Sequence, residues 1–83
     1  MLEAKKLVGK YAASYVEDGM VVGLGTGSTA HWFIEEVGRR YQAGELPNIQ
    51  TVSTSEASSQ QARQLGLPLK QVEDVNGIDL LVD

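Results

Sequence analysis

Cysteine is absent from these 83 residues, and histidine occurs once, at His31. Disulfide staples and thiolate-bound zinc are excluded, one imidazole cannot build a histidine-cluster metal centre, and a chain without cysteine fits a reducing compartment. Basic residues are few: seven Lys and Arg against eleven Asp and Glu leave a net charge of −4. Non-specific nucleic-acid binding needs clustered cations to displace counterions, so no nucleic-acid partner is expected. The doublets Lys5-Lys6 and Arg39-Arg40 read as solvated helix faces. The chain also lacks a long apolar run, and its opening Met1-Leu2-Glu3-Ala4-Lys5-Lys6 is polar. Neither a membrane span nor a signal peptide is expected, which makes the cytoplasm the default location.

What is present is an alternation of helical and extended patterns. Leu7, Val8, Tyr11, Ala12, Tyr15 and Val16 recur at steps of three and four, predicting an amphipathic helix from Leu2 to Val16 with that stripe buried. Met20 to Leu24 is a short apolar run suited to a covered strand, and Phe33, Ile34, Val37 and Tyr41 mark a second helix from Ser28 to Ala43-Gly44. Ile49 to Thr54 reads as a second strand. Ser55 is the expected N-cap of a third helix, with Ala57, Ala62 and Leu65 inward and Gly66 at its end. Leu67 to Val72 reads as a third strand or extended piece, Gln71 to Gly77 as a polar loop, and Ile78 to Val82 as a buried-type fourth strand. Strands alternating with helices imply parallel pairing, and ligands of such sheets gather at the carboxyl ends of the strands. An 83-residue chain is near the lower limit for a self-sufficient core, and a domain ending at such a strand would leave the sheet poorly covered. The expected unit is therefore truncated.

The sharpest local signal is Met20-Val21-Val22-Gly23-Leu24-Gly25-Thr26-Gly27-Ser28-Thr29-Ala30, an apolar strand passing through alternating glycines into a helix start. Glycine admits positive φ and leaves no Cβ in a ligand's way. The unpaired N–H groups of the helix start, beside the hydroxyls of Ser28 and Thr29, suit a phosphate oxygen. A Walker A loop is excluded because no lysine lies between Lys10 and Lys70. Gly25, Gly27 and Ala30 meet the dinucleotide fingerprint formally, but no acid closes the second strand to hold a ribose; Glu45 lies in a polar loop. A small phosphorylated ligand remains. Helix capping alone is the competing reading for Ser28 and Thr29, and caps rather than ligands are expected of Thr54 and Ser55. His31 and Trp32 read as packing residues, and Glu35, Glu36 and Glu56 as solvated surface acids.

The succession of amphipathic helix, VVGLGTGSTA, a strand ending in Ser53-Thr54-Ser55 and the strand Ile78-Asp79-Leu80-Leu81-Val82-Asp83 resembles the N-terminal part of the A-type ribose-5-phosphate isomerases over the whole chain. The resemblance implies an α/β, Rossmann-like, doubly wound fold: an open parallel sheet with helices on both faces, truncated here. Residues 1–83 would be the N-terminal part of a single catalytic domain whose remainder is absent from this chain. It implies interconversion of ribose 5-phosphate and ribulose 5-phosphate through an enediolate, without metal or organic cofactor, in a cytoplasmic homodimer. By the same resemblance Thr26, Gly27, Ser28 and Thr29 contact substrate, and Asp83 opens a D-G-A-D-E segment facing the sugar hydroxyls, although as a lone carboxylate it also reads as solvated. Lys5 would lie near the phosphate, while the family's general base, a glutamate, falls downstream of this segment. The alternative is a non-catalytic sugar-phosphate sensor of the related deaminase or transcription-repressor effector type. A repressor would carry a basic helix-turn-helix ahead of the loop, where this chain has one ordinary helix.

Overall fold

The computed structural model describes residues 2–83. Helix α1 (Leu2–Ala13) is followed by β1 (Val21–Leu24), α2 (Ser28–Gln42), β2 (Gln50–Ser53), α3 (Glu56–Gln64), a single 3-10 turn (Val72–Asp74) and β3 (Leu80–Val82). The strands are parallel in the order β2-β1-β3, with Val22 opposite Thr51 on one side and Leu80 on the other.

Side chains two apart share a face of a strand. Val22 and Leu24 enter one core with Phe33, Ile34 and Val37 of α2, Ala62 of α3, and Ala13 and Val16 from the end of α1; Leu80 and Val82 pack at its margin. The helices thus gather on this face. On the other, Leu81 and Ile78 overhang Gly23 while remaining half exposed, with no helix above them among the described residues. An open parallel α/β sheet is what the sequence led one to expect, and in the described residues its helices gather on one face.

Several local expectations need correction. Helix α1 stops at Ala13 rather than Val16, and Leu7, Val8, Tyr11 and Tyr15 are exposed rather than buried. Its contact face is made instead by Gly9 and Ala13, and Val16 is buried just beyond the helix end. A Cβ on Gly9 would stand 2.7 Å from both the Phe33 nitrogen and Trp32 Cβ, so the helices meet where a side chain is missing. Arg40 is not a solvated cation: its Nη1 donates to the carbonyls of Ala13 (2.7 Å) and Val16 (3.0 Å), filling acceptors that the end of α1 leaves open. Ala57 is exposed, and Ser58, Ser59 and Ala62 form the inner face of α3. The piece expected as a strand from Leu67 to Val72 is reduced to one parallel bridge, Thr51 with Leu69. Pro68 brings a carbonyl but no N–H to that ladder, and Val72 already belongs to the 3-10 turn.

Candidate functional site

At the carboxyl end of the sheet, each backbone group of the first loop residues is held by a different element. Gly25 donates to the Val82 carbonyl at 2.9 Å, and Thr54 donates to the Leu24 carbonyl at 3.1 Å. The Gly25 carbonyl accepts from the buried hydroxyl of Ser58. Thr26 gives its N–H to Asp83 Oδ1 at 2.9 Å and its hydroxyl to the same oxygen at 3.3 Å. Gly25 is required by this crowding: a Cβ there would collide with the Val82 carbonyl oxygen and stand 2.6 Å from the Asp83 Cα.

Two residues later the crowding ends. Gly27 is the N-cap of α2 with φ +96°, nothing lies within 4 Å of where its Cβ would be, and no side chain caps the helix. The first N–H groups of α2 stand at the positive end of a 15-residue helix whose N-cap residue offers them no side chain. Ser28 and Thr29 stand there without capping it, so the bland reading of these hydroxyls as caps loses its geometric basis. Ser55, by contrast, caps α3 by accepting from the Ser58 N–H at 3.1 Å, and the Thr54 hydroxyl donates to the Leu24 carbonyl at 3.2 Å. Ser55 therefore caps as expected, whereas Thr54, also expected as a cap, instead ties the loop after β2 to the end of β1.

A cavity of about 120 Å³ lies between Gly25, Thr26, Gly27 and His31 on one side and Ala57, Ser58 and Gln61 on the other. His31 is exposed on its rim with its ring edge-on to Trp32 at 4.9 Å, which corrects its reading as a packing residue. Glu35 and Glu36 are half-buried and engaged rather than simply solvated. Glu35 accepts from Gln61 Nε2 at 2.9 Å, and Glu36 is paired with Arg39 at 2.7 Å, which holds its carboxyl below the usual glutamate range. Glu56 is exposed and faces Arg63 at 3.6 Å.

Of the residues singled out in the sequence, Thr26, Gly27, Ser28, Thr29 and Asp83 are brought to one end of the sheet. Lys5 belongs to another element. Contacts of Gly9 with Thr29 and Phe33, and of Arg40 with Ala13 and Val16, make α1 and α2 run side by side in the same direction. Lys5, one turn before Gly9 on the same helical face, is therefore level with the turn that precedes α2. Residues 58 and 61 were not singled out in the sequence. Ser58 follows the cap Ser55 by three, where a capping-box acid or amide would stand, and a serine at that place was the one available signal.

No family model matches the chain. Ribose-5-phosphate isomerase A of Streptococcus thermophilus is 57% identical over all 83 residues, and that of Streptococcus mutans 55%. The chain spans 36% of the length of each of these curated relatives. Among solved structures, a D-ribose-5-phosphate isomerase in complex with phospho-erythronic acid superimposes with a TM-score of 0.94 at 40% identity, over 98% of this chain and 35% of that one. The ribose 5-phosphate isomerase of Plasmodium falciparum gives 0.94 at 36% identity, over 100% of this chain and 36% of that one. These relatives are isomerases, and the sensor alternative finds no support in them. In sequence and in fold, across its whole length and about a third of theirs, this chain matches ribose-5-phosphate isomerase A.

Proposed function

We propose that these 83 residues supply the phosphate-holding wall of an isomerase that interconverts ribose 5-phosphate and ribulose 5-phosphate. The observation that carries this reading is the uncapped, glycine-opened start of α2 next to a loop pinned by Asp83. Backbone N–H groups at a helix N-terminus stabilise a dianion without any metal. Thr26, Gly27, Ser28 and Thr29 contact the phosphorylated end of the sugar, Lys5 adds a cation from α1, and Asp83 faces the hydroxyls. A similar solved structure, a D-ribose-5-phosphate isomerase, is in complex with phospho-erythronic acid, an acyclic phosphorylated acid, which supports a ligand of that class.

In the isomerisation a carboxylate removes the C2 proton of the opened sugar, an enediolate forms, and the proton returns to C1. A positioned base contributes about 100- to 10,000-fold to such a step. By the family resemblance we place that base, a glutamate, downstream of this segment; Asp83, the carboxylate at the loop, accepts from the Thr26 N–H. The segment is read as the N-terminal part of one α/β catalytic domain, in a cytoplasmic homodimer. Its own contribution is binding, which is equal in ground and transition states and so appears in KM.

Gly27→Val tests the reading. A β-branched residue at positive φ is strained and places methyl groups where the phosphate would sit. In the full-length protein KM for ribose 5-phosphate should rise about 10- to 100-fold, the value of one or two charge-assisted hydrogen bonds. An unchanged KM removes the loop from the site.

A further inference from the structure

The carbonyl of Gly25 and the N–H of Thr26 belong to one peptide plane, and its two ends are gripped by side chains from different elements. Ser58, on the inner face of α3, donates to the carbonyl; Asp83, past the end of β3, accepts from the N–H at 2.9 Å. We propose that Ser58 is a positioning residue for sugar-phosphate binding: it fixes the rotation of the Gly25–Thr26 peptide and thereby the direction of the N–H groups that follow. The inference rests on the loop being the phosphate site.

The chemistry of the serine pair settles which way the protons run. A carbonyl only accepts, so the single Ser58 proton goes to Gly25. Ser55, 2.9 Å from the Ser58 hydroxyl, must then donate to it while accepting from the Ser58 N–H at 3.1 Å. Ser55 is thereby both the cap of α3 and the group that orients the Ser58 hydroxyl. Ser58 is buried, and its hydroxyl is the donor found for the Gly25 carbonyl among the described residues. Without that donor, Asp83 alone would hold one end of a plane flanked by a residue with no side chain. The peptide would then be free to turn, and the start of α2 would lose its aim.

Ser59 provides the internal control. It is nearly as buried and, from the same helix, bonds the Ser53 hydroxyl of β2, with no side-chain hydrogen bond to the loop among the described residues. In the full-length protein, Ser58→Ala should raise KM for ribose 5-phosphate and the inhibition constant of inorganic phosphate together, each about tenfold, with kcat within about twofold. Ser58→Cys, similar in size but a poor donor, should behave alike, and Ser58→Thr should recover most of the affinity by restoring the hydroxyl. Ser59→Ala should change neither constant. The proposal is overturned if Ser58→Ala or Ser58→Cys binds as the parent does, if Ser59→Ala weakens binding equally, or if Ser58→Thr fails to recover it. Gly27→Val separates the two failures: if it weakens binding while Ser58→Ala does not, the loop is still the site and only the clamp is wrong. If neither variant matters, the phosphate site itself lies elsewhere.

Discussion

The two ends of the sheet differ in a way that cavity size would misjudge. At the amino end, where β1 and β2 begin, a hollow of about 390 Å³ is lined by Val21, Gln50 and the run from Asp74 to Asp79. It is three times the volume of the hollow at the carboxyl end, yet its charged lining is acidic and no helix starts there. An anion would be repelled. The carboxyl end has the smaller hollow but carries the start of α2, a glycine with positive φ and a backbone held residue by residue. The contrast teaches that empty volume is a poor guide to where an anion would sit, and that the direction of backbone dipoles and the net sign of the lining matter more.

Three substitutions would break or sharpen that contrast. The largest effect is expected at the carboxyl end. In the full-length protein, Gly25→Ala would force Val82 and Asp83 away from the loop, and a displacement of that kind lowers kcat/KM on the order of 100-fold. A variant with parental kinetics would mean that the loop tolerates movement and is no precise cradle. At the amino end, Asp79 accepts from the Val21 N–H at 2.8 Å, so Asp79→Ala should lower the melting temperature by a few degrees and leave KM untouched. A raised KM would show that the large acidic hollow does take part in binding.

The smallest effect is remote from both ends. The Asn48 backbone N–H, at 2.6 Å, and the Asn48 side chain, at 2.9 Å, hold the Asp18 carboxyl below the ordinary aspartate range. A depressed folded-state pKa contributes stability above the unfolded value and loses it as pH falls through the folded one. Thermal unfolding measured from neutral to acid pH should therefore show a shallower acid decline for Asp18→Asn than for the parent, with identical kinetics. Equal slopes would mean that Asp18 is as free in the folded chain as in the unfolded one.

Sequence patterns were most readable where backbone chemistry is local. Helix α2 begins at Ser28, one residue after a glycine with positive φ, and α3 is capped by Ser55, both as their residue types require. Helix α1 was misread because periodicity locates large apolar side chains and says nothing of what covers them. The stripe Leu7, Val8, Tyr11 and Tyr15 is exposed, while the true contact is made by Gly9, whose lack of a side chain is invisible to a hydrophobic count. Arg40 was misread for a related reason, since a cation that fills the carbonyls of another helix resembles any surface cation in sequence.

By itself the sequence determined the parallel α/β class and the glycine-opened start of α2 on which the proposed anion site rests, because glycine spacing and helix starts act over a few neighbouring residues. Only the tertiary structure decided that Asp83 and Ser58, 57 and 33 residues from their loop partners, grip opposite ends of the Gly25–Thr26 peptide. The physical reason is that a strand order of β2-β1-β3 flanks the central strand with distant chain segments and brings them to one end of the sheet. Hydrogen bonds across such an end depend on register and crossing, which no local pattern encodes.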